Sequence, residues 1–63
     1  MNTSRPPLPV LFTVAEVAAL LKVSPKTVRR WILLSQIKIH RIGRQIRISE
    51  PDLVSFIGER RAP

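Results

Sequence analysis

Sixty-three residues carry eleven Lys and Arg against four Asp and Glu, a net charge of +7, with no cysteine and one histidine. That length allows a single domain of marginal stability, and the cysteine count excludes disulfide staples and thiolate metal sites. The apolar runs, broken by Glu16, Lys22 and the arginines, fall short of the roughly 20 residues of a membrane span, so the charge points to a polyanionic partner in a reducing, cytoplasmic setting.

Residues 1–11 are expected to form an extended arm, because three of the six prolines lie in the first ten positions, with Leu8 and Val10 docking on the core. MNTSRPPLP lacks the sustained apolar segment of a secretion signal. Thr13-Val14-Ala15-Glu16 matches a capping box, in which hydroxyl and carboxylate each satisfy an orphan backbone N–H. A first helix is therefore predicted from Thr13 to about residue 22, with Val14, Val17, Ala18 and Leu21 as one apolar stripe.

Ser24-Pro25 ends that helix and begins the next, with Ser24 as N-cap and Pro25 at N1, where a missing N–H is no loss. Helices joined so tightly must cross steeply, which is a helix-turn-helix. In the second helix Val28, Trp31 and Ile32 share the buried face, while Lys26, Arg29 and Arg30 gather opposite. Its first turn holds no acid, so the positive helix end is left for an outside anion.

IKIHRIGRQIRI, residues 37–48, alternates about Gly43-Arg44, as a hairpin with a two-residue loop does. Counting outward sets Arg41 opposite Ile46 and Ile39 opposite Ile48, with Ile37, Ile39, Ile46 and Ile48 on the buried face. Lys38, His40, Ile42, Gln45 and Arg47 take the other face. Ser49-Glu50-Pro51-Asp52 caps a short third helix that buries Leu53, Phe56 and Ile57 and is expected to end at Gly58. The predicted fold is α+β: two helices, a two-stranded antiparallel wing hairpin and a short C-terminal helix over residues 12–58, followed by a solvated tail at 59–63.

Residues 22–47 hold eight of the eleven cations (Lys22, Lys26, Arg29, Arg30, Lys38, Arg41, Arg44 and Arg47) and none of the acids. A single surface Lys or Arg is usually just solvated. Eight without an acid, on a helix and a hairpin that a winged helix-turn-helix presents together, point to duplex DNA. The arginine fork suits two acceptors of guanine, and Thr27 suits a thymine methyl or a phosphate. Lys22, Lys38 and Arg47 sit where phosphates flank a groove, and Arg44 at a narrow hairpin tip suits the minor groove.

FTVAEVAALLKVSPKTVRRWI, RIGRQIRI and SEPDLVSFI together resemble the small excisionase-type branch of the MerR-like winged helix-turn-helix proteins, over residues 12–57. The resemblance implies a recombination directionality factor of a phage or mobile element, which helps an integrase, a tyrosine recombinase, to excise rather than insert. Some relatives instead regulate transcription. By position, Lys26, Thr27, Arg29 and Arg30 correspond to the recognition helix in the major groove, and Arg44 with its neighbours to the wing. Relatives of that branch usually show Gly or another small residue, and often a Pro, between the second helix and the first strand, and this chain departs from that pattern with Ser35-Gln36-Ile37-Lys38.

The DNA-contacting set expected is Ser24, Lys26, Thr27, Arg29, Arg30, Lys38, His40, Arg41, Arg44 and Arg47, in a non-enzymatic, nucleoid-associated protein without cofactor or metal. Trp31 falls on the apolar face and is assigned to the core. His40, with no second ligand near it in sequence, is assigned to the surface within reach of phosphate. Leu33, whose helical angle lies among the cations, and Ile42, on the outer face of the hairpin, are candidates for head-to-tail association between copies on DNA. A basic RNA-associated protein is disfavoured because no aromatic residue is expected to be exposed for stacking. An adaptor acting by protein contact alone would not need Arg29 and Arg30.

Overall fold

A computed structural model describes residues 8–62, with the elements β1 (Leu11–Phe12), α1 (Val14–Leu21), α2 (Pro25–Leu33), β2 (His40–Ile42), β3 (Gln45–Ser49) and α3 (Glu50–Glu59) in chain order. Residues 1–7 of the expected arm and Pro63 of the tail lie outside the described residues. The fold is a small α+β domain of the winged helix-turn-helix kind, with one strand more than expected.

Both arms of the capping box form at α1: the Glu16 N–H donates to Thr13 Oγ1 at 3.0 Å and the Thr13 N–H to Glu16 Oε1 at 2.8 Å. The helix closes on Lys22, whose left-handed φ of 58° lets the Val23 N–H reach the Ala18 carbonyl at 2.9 Å and the Lys22 N–H reach that of Ala19 at 3.3 Å. This pair of bonds is a Schellman motif, and it turns the chain within three residues into α2. There Ser24 Oγ accepts from the Thr27 N–H at 3.2 Å and Pro25 occupies the first turn. The far end of α2 repeats the device at Ser35, φ 56°, with the Gln36 N–H bonded to Trp31 at 2.9 Å and the Ser35 N–H to Ile32 at 3.0 Å.

The sheet runs β1-β3-β2, antiparallel throughout. In the hairpin His40 pairs with Arg47, Arg41 with Ile46 and Ile42 with Gln45, the register counted from the sequence. Gly43 adopts φ 62° in the loop, while Arg44 keeps a negative φ, as a type II′ turn requires of its two central residues. β1 was not foreseen. Leu11 pairs with Ser49 and Phe12 with Ile48, and the Glu50 N–H donates to the Val10 carbonyl at 3.1 Å. Leu8 and Val10, expected to dock on the core, are exposed instead, because this end of the arm contributes backbone bonds to the free edge of β3 and only Phe12 faces inward.

Val17, Ala18, Val28, Ile37, Ile48, Leu53 and Phe56 form the buried core, ringed by Phe12, Val14, Leu21, Val23, Trp31, Ile32 and Ile39. Two expectations for α3 need correction. The helix continues through Gly58 to Glu59, since Gly58 holds no positive φ and so does not reverse the chain. Ile57 is exposed, because Leu53 and Phe56 already fill the inward positions one turn apart. Ser49 is buried at the N-cap of α3, where its hydroxyl donates to Asp52 Oδ2 at 2.8 Å and accepts from the Asp52 N–H at 3.3 Å.

Candidate nucleic-acid interface

The apolar stripe that seats Val28 in the core turns Lys26, Arg29 and Arg30 to solvent, all three exposed. Ser24 is exposed and Thr27 partly buried, and their hydroxyls lie 3.0 Å apart at the head of the helix. The first turn of α2 has no acid, whereas Glu16 stands in that of α1 and Glu50 and Asp52 in that of α3. A carboxylate here would neutralise the amino-terminal half-charge of the helix and repel a phosphate.

On the hairpin, Lys38, Arg41 and Arg44 are exposed, with Arg44 at the tip. Arg47 is partly buried and its guanidinium donates to the Ile46 carbonyl at 2.8 Å, so part of its hydrogen-bonding capacity is spent within the strand. His40 is exposed. Its Nε2 lies 3.5 Å from Asp52 Oδ2, the oxygen that also accepts from Ser49. The ring is turned to the head of α3, where it links β2 to that helix.

Among the described residues the carboxylates within 4 Å of a basic side chain are Asp52, 3.5 Å from the His40 ring, and Glu59, 3.9 Å from Arg60. All eight cations of residues 22–47 are therefore left without a carboxylate partner. Seven of the eight are exposed and Arg47 is partly buried, so this many uncompensated charges on so small a domain repel one another, and a polyanion removes the repulsion on binding.

A groove runs between the end of α2 and β2, with Ile32, Leu33, Lys38, Ile39 and Arg41 among its walls. Leu33 is 83 % exposed and Ile42 51 %. Lys38, Ile39, His40 and Arg41 of the first hairpin arm all line the groove together with Leu33, whereas Ile42, next to the hairpin loop, does not.

Trp31 packs as expected, its ring centroid 4.7 Å from that of Phe56 at an interplanar angle of 47°. A contact that sequence reasoning missed completes this cluster: the Arg60 guanidinium lies 3.7 Å above the Phe56 ring and donates to Gln36 Oε1 at 3.1 Å. Arg60, expected in a solvated tail, thus ties the end of α3 to the turn that follows α2. Among the described residues there is no cluster of three or more metal-ligating side chains, and no helix is long and apolar enough to cross a membrane.

Residues 11–61 match the protein family described as helix-turn-helix domain. No curated protein and no solved structure matches the chain.

Proposed function

Since the chain belongs to the helix-turn-helix domain family, whose members bind double-stranded DNA, we propose that it is an architectural DNA-binding factor of the excisionase type that directs an integrase toward excision of a mobile element. In this reading α2 enters the major groove with Lys26, Thr27, Arg29 and Arg30, while Ser24 and the open amino-terminal end of the helix meet a phosphate. Arg44 enters the adjacent minor groove, Lys38 and Arg41 hold the intervening backbone, and Arg47 and His40 contribute less because each already has a partner within the protein.

The observation that carries the reading is the set of eight cations without carboxylate partners on α2, the hairpin and the turns beside them. The combined pattern of the two capped helices, the RIGRQIRI hairpin and the closing SEPDLVSFI favours the excisionase-type branch. A transcription regulator of a phage or mobile element would use the same surface and is the second reading. A domain this small reads few bases, so selectivity comes from several copies bound in order, with exposed Ile42 and Leu33 as candidate contacts.

Two measurements test this. Duplex affinity titrated against salt is expected to fall with a logarithmic slope of about −4.5 to −7, as neutralising ~5 to 8 phosphates requires, and Arg29→Ala with Arg30→Ala should weaken binding more than about tenfold. Addition of the protein to the element's integrase should stimulate excision. Tight duplex binding with no effect on excision would leave the transcriptional reading.

A further inference from the structure

Leu33 stands at the centre of the basic face of α2. At about 100° per residue, Arg29 and Arg30 bound an arc of about 100°, Lys26 lies near its middle, and Leu33 falls within about 20° of Lys26. Lys26, Arg29, Arg30 and Leu33 are thus one stripe at i, i+3, i+4 and i+7, and all four are exposed. Leu33 is 83 % exposed, more than Leu34 or Ile42, and no packing within the protein accounts for it. A leucine in a helix leans back over the preceding turn, which places its methyls beside the guanidinium groups of Arg29 and Arg30 rather than beyond them.

We infer that Leu33 is a specificity-determining residue that reads the C5-methyl group of a pyrimidine, a thymine methyl in ordinary DNA, from within the major groove. This rests on the DNA-binding reading above. The cations on either side point to a polyanion as the occupant, since three positive charges with no carboxylate partner draw one, and family membership makes that polyanion DNA. On the floor of the major groove the apolar feature is that methyl group, and it marks A·T against G·C pairs at a point where arginine and lysine hydrogen bond to guanine. One stripe therefore offers both kinds of contact, fork donors for guanine and a hydrocarbon surface for thymine.

The test begins with duplexes selected by the protein from a randomised pool, resynthesised with deoxyuridine replacing thymidine one position at a time. Deoxyuridine removes the methyl and leaves every hydrogen-bonding group in place. One position is expected at which the replacement weakens binding about fourfold, the effect of one methyl removed from water. Leu33→Ala should bind the thymidine duplex about as weakly as the natural protein binds the deoxyuridine one, and should show no further loss on replacement. Leu33 is exposed, so the variant should melt as the natural chain does, and Leu33→Met should retain the discrimination. Equal sensitivity at that position in Leu33→Ala, or no sensitive position at all, overturns the inference and leaves the DNA-binding reading standing. So does a loss of cooperativity in Leu33→Ala with discrimination intact, which would assign the residue to contacts between copies. A natural chain that retains no duplex from the pool removes the DNA-binding reading, and the inference with it.

Discussion

Lys22 at φ 58° and Ser35 at φ 56° close the two helices in a conformation that glycine adopts more readily. A side chain there costs about 1–2 kcal/mol relative to the right-handed form, offset in this protein by the paired Schellman bonds and by the core contacts of Val23 and Ile37 that follow each turn. Ser35→Gly is therefore expected to raise stability by about 1 kcal/mol, less a part for the added freedom of the unfolded chain, seen as a higher urea midpoint at unchanged slope. A lower midpoint would mean that the Ser35 side chain supports something besides the turn. Gly43 meets the same conformational demand with no penalty, and it has no atom within 4 Å of where a side chain would project, so its requirement is one of backbone and not of space.

Each helix announces itself in the sequence through a local device, Thr13 with Glu16, Ser24 with Pro25, Ser49 with Asp52, and such devices act over three residues, within reach of inspection. The hairpin register was legible for the same reason, since Gly43-Arg44 and the isoleucine alternation around it fix one another. β1 was not legible, because two residues have no period and their strand character comes from the edge of β3, which lies far along the chain. The candidate site divides likewise: the basic stripe of α2 follows from its helical spacing, whereas the engagement of His40 by Asp52 and of Arg60 by Phe56 and Gln36 depends on how distant elements dock. The unforeseen strand makes its own prediction. Removing residues 1–11 deletes Leu11 and the Val10 carbonyl, leaving the Glu50 N–H without its protein partner and Phe12 alone against β3. A loss of about 1–3 kcal/mol in denaturant unfolding is expected from the unpaired backbone N–H, and an unchanged midpoint would show this end of the arm to be dispensable.

Over the whole molecule, the net charge of +7 draws polyanions at long range, and raising the ionic strength weakens that attraction. Ile42 is exposed beside the hairpin loop, and the ordered array of copies proposed above offers it as a head-to-tail contact. Ile42→Ser, which removes hydrocarbon without adding charge, is expected to lower the Hill coefficient on long DNA while changing affinity for a single short site by less than about twofold, given that surface substitutions are typically worth no more than ±0.5 kcal/mol. Equal cooperativity in both proteins would exclude the contact. The placement of the tryptophan also has a spectroscopic consequence. The chain holds one tryptophan and no tyrosine, and Trp31 lies behind α2 against Phe56, on the opposite side from Arg29 and Arg30. Its ultraviolet emission therefore comes from a single indole that senses the seating of α2 on α3. Intrinsic fluorescence will report the parting of these two helices as the domain melts.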